Sequence, residues 1–396
     1  MATAIRWAVI VLLLVHGLIH LLGVAKGLGW AEVGALKEPI GTGAALAWLL
    51  AAVLVLATAV MLLVRAPAWW WGVAAAAAFV SEGVILTSWS DAKVGTMANV
   101  VLVLVAVFGF AAHGPTSFGA EWDHRTQAAV HATDTPPGVV TEGDLTPLPD
   151  SVARYIRRSG AVGQPRVRNF FAEVHGRIRS GPDKPWMTFT GRQLNTYGDT
   201  PQRMFVLDAT MFGLSVTVLH VFDADGATMR GKVAGLVPIL DGKGPEMDRS
   251  ETVTLFNDLA VLAPAALVDA SVRWTELSPT RVRGSYTRAG ETVTADLCFN
   301  AAGDLVDFIS NDRARASTDG KAFTVLPWNT PLTRYRNLHG LRVAVEGTAL
   351  WDARAPEGHF SYIEFSVDDL AYNVTSPAIP AGMADAEAPA HVTGAS

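Results

Sequence analysis

The chain has one cysteine, Cys298, in 396 residues. An internal disulfide and any site built from several cysteine ligands are therefore excluded. Charge is scarce as well. Only 17% of residues are Asp, Glu, Lys or Arg and the net charge is −6, with no basic stripe or arginine-rich arm. Nucleic-acid binding is thus not expected. The motifs that announce common chemistries are also missing: there is no P-loop, no G-x-S-x-G elbow, no H-E-x-x-H and no G-x-G-x-x-G after a strand. Gly231, Gly235, Gly242 and Gly244 are too dispersed to cradle a phosphate. No catalytic residue and no cofactor can be named from motifs.

Long apolar runs are abundant, and nearly all of them precede His113. The first, Ile5–Val24, covers about 30 Å as a helix, the thickness of a bilayer's hydrocarbon core. It lacks an A-x-A-like cleavage site before Lys26, and further apolar runs follow, so it reads as a span rather than a secretory leader. A second span is expected over Ala44–Val64, a third over about Ala68–Ser88 and a fourth over about Val94–Ala112. Trp69, Trp70 and Trp71 at one end of the third and Trp89 at the other match an interfacial aromatic belt. Short connections predict a compact four-helix membrane bundle over residues 1–112. The expected location is the cell membrane, multi-pass, with membrane lipids as partners and both termini on one side. Arg6, Arg65 and Arg125 balance Lys26, Lys37 and Lys93, so the side is undetermined.

Polar residues inside these spans fall at one depth. His16 and His20 lie one helical turn apart on the same face. His16 is roughly 16 Å and His20 roughly 22 Å into the first span; Glu82 is roughly 21 Å into the third, which runs parallel. Ser81 and Asn99 come to the same level. Three readings stay open: interhelical hydrogen-bonding glue, a site for protons, quinone-like molecules or small polar ligands, or a metal held by two histidines and a carboxylate. Asp91 and Lys93 beside Trp89 suit either a lipid headgroup or an ordinary wet turn.

Residues 113–149 are rich in proline and polar side chains and read as an extended linker, with one short amphipathic piece around Glu121–Ala132. Asp150 is expected to cap a helix over Ser151–Ser159, stopped by Gly160. From about Val167 the apolar period becomes two. Val293, Ala295, Leu297 and Phe299 share one face, as do Leu341, Val343, Val345, Ala349 and Trp351. Turn signals at 224–226, 288–290, 301–303 and 319–320 join such strands into one large antiparallel meander. Glu246–Asp269 has helical spacing instead and reads as one helix, then a shorter one starting near Pro264. The expected fold class is a membrane all-α four-helix bundle plus an α+β soluble domain over 150–374. In that domain a large curved antiparallel sheet carries a covering helix. The tail, 375–396, is expected to be disordered.

A curved sheet and a helix can enclose a greasy cavity. Trp186, Phe189, Phe256, Leu259, Trp274 and Trp328 are the candidate ligand-binding residues, with plain core as the alternative for each. Glu246, Asp248 and Glu251 suit either acid–base work or a helix start that complements its dipole.

Several stretches resemble an uncharacterised bacterial domain-of-unknown-function family: RYIRRSGAVGQP (154–165), WMTFTGRQLNT (186–196), LAPAALVDASVRWTEL (262–277), LCFNAAGDL (297–305) and LPWNTPLTRYRNLHGLRV (326–343). HGLIHLLGVAKGLG and WSDAKVGTMANV are similar to the four-helix membrane part attached to that domain in many members. The resemblance covers about residues 5–374 and implies fold and location, but no catalytic residue. The strand order is also similar, by analogy, to lipoprotein-carrier domains, in which a curved sheet and helix hold acyl chains. The leading expectation is a membrane-anchored binding protein holding a lipid or isoprenoid. The alternative is an intramembrane enzyme or redox or metal module using His16, His20 and Glu82. A sensor or assembly factor whose soluble domain reads a protein partner is a third reading, and no such partner is indicated.

Overall fold

The computed structural model describes residues 3–64, 66–133, 138–211 and 213–380. Arg65, and residues 381–396 of the tail expected to be disordered, lie outside the described residues. The chain divides into two compact units. One is Met1–Glu121 with Met211–Val216 and Val233–Val237; the other holds Trp122–Thr210, Thr217–Lys232 and the chain from Pro238 on.

The first unit contains α1 (Thr3–Gly27), α2 (Thr42–Leu63), α3 (Trp70–Thr87), the single turn α4 (Trp89–Ala92) and α5 (Thr96–His113). α1 packs on α2, α2 on α3, α3 on α5 and α5 on α1. Four helices are long and apolar enough to cross a membrane. Small residues sit where they meet: Ala51, Ala52, Ala59, Ala74 and Ala77 are buried, whereas Leu18, Leu46, Val53, Phe79 and Leu104 face outward. Small side chains let helix backbones approach closely when no hydrophobic effect drives them together. Gly17 and Gly23 do this for α1 against Leu56 and Trp48 of α2. Arg6 Nε donates to the Leu62 carbonyl at 2.8 Å, satisfying an orphan acceptor at the end of α2.

The stretch expected to run as an extended linker holds α6 (Phe118–Ala132) and the one-turn α7 (Glu142–Leu145). Trp122, Thr126, Ala129 and Val130 are buried, at the spacing of one helical face. Trp122 packs edge-on against Phe171 at 6.0 Å, and the Arg192 guanidinium stacks on it at 4.3 Å. The short amphipathic piece expected around Glu121–Ala132 is thus α6, which begins three residues earlier. In α8 (Asp150–Arg158), Pro149 occupies the cap and Asp150 is the first helical residue, a shift of one from the expected position. Gly160, at φ +78°, ends it as expected.

The remainder is dominated by strands. The first six are β1 (Asn169–Ile178), β2 (Met187–Thr196), β3 (Gln202–Met211), β4 (Leu214–Asp223), β5 (Gly226–Val233) and β6 (Val237–Lys243). Then come α9 (Pro245–Leu262) and a 3₁₀ turn, Pro264–Val268, so the helix-then-helix reading holds. Ten further strands follow: β7 (Val272–Ser278), β8 (Arg281–Arg288), β9 (Glu291–Phe299), β10 (Leu305–Ser310), β11 (Ala314–Ala316), β12 (Phe323–Val325), β13 (Trp328–Asn329), β14 (Leu332–Leu338), β15 (Leu341–Asp352) and β16 (His359–Tyr372). One 14-stranded sheet runs β6-β5-β4-β3-β2-β1-β16-β15-β13-β10-β9-β8-β7, with β14 beside β15; β11 and β12 pair separately. Every strand pair with a described register is antiparallel, including the central β1–β16 pair that joins the two halves of the chain.

This sheet is curved, and α9 is the measure of it. β3 and β8 are eight places apart in the strand order. In a flat sheet they would be separated by roughly 38 Å, far more than a helix diameter. Yet Glu251 and Asp258 of α9 bond to Arg203 of β3, while Phe256 stacks on Tyr286 of β8 at 5.2 Å. Arg288 of β8 spans the remaining gap, donating to the Pro201 and Asp223 carbonyls at 2.7 and 2.6 Å and lying over the Phe222 ring. The sheet wraps the helix, leaving Ser250 through Leu262 buried without interruption. The expected large curved antiparallel sheet with a covering helix is what forms.

A Cβ on Gly23 would lie 2.6 Å from Trp48 Cε3, inside contact distance of a buried ring. Gly23→Val is expected to lower bundle stability by about 1–3 kcal/mol, read as a fall in the thermal midpoint of the detergent-solubilised chain. An unchanged midpoint would show that α1 and α2 are not packed this tightly.

Candidate functional site

Between α9 and the concave face of the sheet lies a cavity of about 970 Å³. That is the size of a ligand pocket, whereas ordinary interiors hold few voids larger than a water molecule. Its apolar wall comes from Val174, Phe189, Phe205, Leu207, Trp328 and Trp351 on the strands, with Met247 and Val261 on α9. Strand residues alternate in and out, so β3 contributes every second side chain, Arg203, Phe205 and Leu207.

α9 turns a polar stripe to the same space. Ser250, Glu251, Thr254, Asn257 and Asp258 line the cavity, while Val253, Phe256 and Leu259 are packed away from it. The spacing 250-254-257-258 is one face of a helix. Arg203 anchors this stripe: its Nε donates to Asp258 Oδ2 at 2.7 Å and its Nη1 to Glu251 Oε2 at 3.0 Å. Gln193 Nε2 and Asn195 Nδ2, two apart on β2, donate to the same Asp258 oxygen at 2.7 and 3.1 Å. His220 Nδ1 lies 3.8 Å from Glu251 Oε1 and has no hydrogen-bond partner among the described residues. Burial opposes the charge on Glu251, but the field of Arg203, reinforced by His220 and Arg313, holds its carboxyl down at about 2. Glu251 is therefore ionised at neutral pH and paired with Arg203.

The sequence-derived candidates separate. Phe189 and Trp328 line the cavity. Phe256 and Leu259 lie in the closed core on the far side of α9, where Phe256 contacts Tyr286, Phe308 and Trp274. Trp274 is half-buried against Phe256, and Trp186 is stacked by Arg177 and Arg179 at 4.7 and 4.5 Å. None of these four contributes to the cavity wall. Of the three acids at the start of α9, Asp248 accepts the Ala227 amide at 2.6 Å and only Glu251 reaches the cavity. Arg203, His220, Asp258 and Arg313 were not anticipated. The polar stripe on α9 was their one legible signal.

The bundle residues do come together. His16 Nε2 lies 3.1 Å from both Ser81 Oγ and Asn99 Oδ1, and His20 Nε2 lies 2.8 Å from Ser81 Oγ. Asn99 Nδ2 donates to Glu82 Oε2 at 2.8 Å, and Thr96 Oγ1 donates to Glu82 Oε1 at 2.9 Å. The two imidazoles meet edge to face at 4.6 Å. Among the described residues Glu82 thus reaches His16 through Asn99 and makes no direct hydrogen bond to either histidine. Among the described residues no group of three or more His, Cys, Asp or Glu side chains is arranged to hold a metal ion. Asp91 accepts the backbone amide of Glu38 at 2.9 Å and that of Lys37, so it ties down a loop.

Two outcomes follow for the Arg203 cluster. Arg203→Ala leaves two carboxylates buried without a cation and is expected to cost about 3–5 kcal/mol in chemical denaturation. Glu251 binds its proton more weakly folded (about 2) than unfolded (4.5), so its contribution is complete above pH 4.5 and lost as the pH falls toward 2. Thermal midpoints measured across that window should fall more steeply for the native chain than for Glu251→Gln. Parallel curves would mean that Glu251 is not held ionised by Arg203.

No curated protein matches the chain. Among the solved structures that resemble it remotely are two bacterial ones. One is a DUF1329 family protein from Desulfovibrio piger, 10% identical with a TM-score of 0.33, the match covering 60% of this chain and 95% of that one. The other is a Vibrio parahaemolyticus structure assigned to the outer membrane lipoprotein-sorting protein domains, 11% identical with a TM-score of 0.32, covering 52% and 85%. At these scores neither bears on ligand or mechanism. The family comparison is firmer: residues 138–365 match the profile of DUF6544, a family of unknown function. That segment takes in more than half of the chain, with α8, α9 and β1 through β15, and the chain belongs to the DUF6544 family.

Proposed function

We propose that this protein is a membrane-anchored binding protein. Residues 1–112 cross the membrane as a four-helix bundle, and residues 150–374 hold a hydrophobic molecule, a lipid or isoprenoid, between the curved sheet and α9. The observation that carries the reading is the cavity of about 970 Å³ with Phe189, Phe205, Leu207, Trp328 and Trp351 in its wall. An apolar space of that volume is the normal form of a small-molecule site. The anchoring half of the proposal is supported by the large apolar side chains that cover the outside of the bundle, among them Leu18, Val53, Phe79 and Leu104. In water such a surface would aggregate.

The competing reading, an intramembrane enzyme or redox module on His16, His20 and Glu82, has less support. Both Glu82 oxygens are taken by Thr96 and Asn99. We read the cluster as hydrogen bonding that holds α1 to α3 and α5.

Lipid extraction and mass spectrometry of the detergent-purified full chain should recover about one hydrophobic molecule per chain beyond the background retained by Ala349→Trp, which fills the cavity from β15. Equal retention by the two proteins, with equal thermal midpoints, would refute a cavity ligand. For the bundle, Ser81→Ala removes the hydroxyl shared by both histidines and Asn99 and is expected to cost about 0.6–2 kcal/mol in detergent. No loss of stability would remove the glue reading.

A further inference from the structure

The cavity is lined by five arginines against three carboxylates. Arg203 is offset by Glu251 and Asp258, and Arg315 by Glu357 at 2.7 Å. Arg313 is different. Its guanidinium lies over Trp328 at 4.7 Å and Trp351 at 5.1 Å, all three in the cavity wall. Its Nε donates to Thr254 Oγ1 at 3.1 Å and its Nη1 to the Tyr362 hydroxyl at 3.2 Å. Tyr362 is itself fixed by Trp328 Nε1 at 3.1 Å.

These two neutral hydroxyls are the side-chain partners of Arg313 among the described residues, and no carboxylate lies within ion-pair distance. A guanidinium carries five N–H donors, so the stack holds a cation in place without exhausting or neutralising it. Arg179, in the same lining, is held the same way: over Trp186, with Nε and Nη1 donating to the Ser361 and Pro182 carbonyls at 2.8 and 2.6 Å. An apolar enclosure with a fixed, unpaired guanidinium is complementary to a molecule with a long apolar body and one anionic end, because a charge-assisted, bidentate bond is strongest where water is scarce.

We propose that the cavity takes an anionic amphiphile, its chain between the sheet and α9 and its carboxylate or phosphate on Arg313, with Arg179 as the second cation. This rests on the hydrophobic-ligand reading above and narrows it to a charge class. Arg313 is then a binding residue, while Trp328, Trp351 and Tyr362 position it.

The test is native mass spectrometry of the full chain in detergent at neutral pH, titrated separately with palmitate, palmitoyl lysophosphatidic acid and hexadecanol. At least one of the two anions should bind about tenfold or more tightly than hexadecanol, and which one does tells a fatty acid from a lipid phosphate. Arg313→Gln should abolish that preference while leaving hexadecanol binding in place, and Arg313→Lys should restore part of it. Hexadecanol binding as tightly as both anions to the unaltered protein overturns the proposal without recourse to any variant. So does a preference that survives Arg313→Gln. Failure of all three probes to bind overturns the hydrophobic-ligand reading itself, and this inference with it.

Discussion

Burying a helix on every side is the constraint from which the second unit follows. α9 has no solvent-facing stripe, so its polar residues must find partners within the protein or remain desolvated at a cost of several kcal/mol each. Arg203 supplies that partner from β3 and draws Glu251 and Asp258 toward one limb of the sheet, while Phe256 and Leu259 draw the opposite face into the other limb. The two pulls are satisfied together only by a sheet that curls around the helix. Arg288, reaching from β8 to the carbonyls of Pro201 and Asp223, holds the curl nearly shut.

The cavity is a product of the same arrangement. On its apolar side α9 is packed against aromatic rings; on its polar side the side chains hold the strands off at hydrogen-bonding distance. Space remains between Phe189, Phe205, Trp328 and Trp351. Arg203 is outnumbered by its two acids in one part of the lining, while Arg313, bonded among the described residues only to hydroxyls, leaves a guanidinium without an ion pair in another. An uneven balance of charge within an apolar enclosure is what selects among hydrophobic molecules of similar size.

The first unit obeys other rules. Its helices meet through alanine and glycine set among buried Leu13, Trp48 and Leu102, further large side chains cover its outside, and its polar groups close on one another through Ser81 and Asn99. The two units of this chain therefore differ in what they expose: the outside of the first carries large apolar side chains, whereas the second keeps most of its large apolar side chains inside. The cluster of His16, His20, Ser81, Glu82 and Asn99 was legible from depth alone. A helix advances by a fixed rise per residue, so sequence position converts directly to height in a bundle.

Local patterning was sufficient for the helix lengths, the alternation of Val293, Ala295, Leu297 and Phe299, the turn at 288–290 and the helix after β6. Each is governed by neighbours a few residues away. It marked the amphipathic piece at 121–132 that forms α6, but not what its buried face of Trp122, Thr126, Ala129 and Val130 packs against. It also failed to separate cavity from core: nothing nearby in the chain distinguishes Trp328, which lines the space, from Phe256, which is packed solid behind the helix. Whether a side chain meets a void, an arginine or another ring depends on how far a sheet of many strands curls. That curl is set by contacts between residues as far apart as Arg203 and Asp258, or Arg313 and Tyr362. Such pairings are a property of the folded surface and not of any window along the chain, so the sequence could suggest a cavity with Phe189 and Trp328 in it, while its charged lining was decided by the tertiary structure.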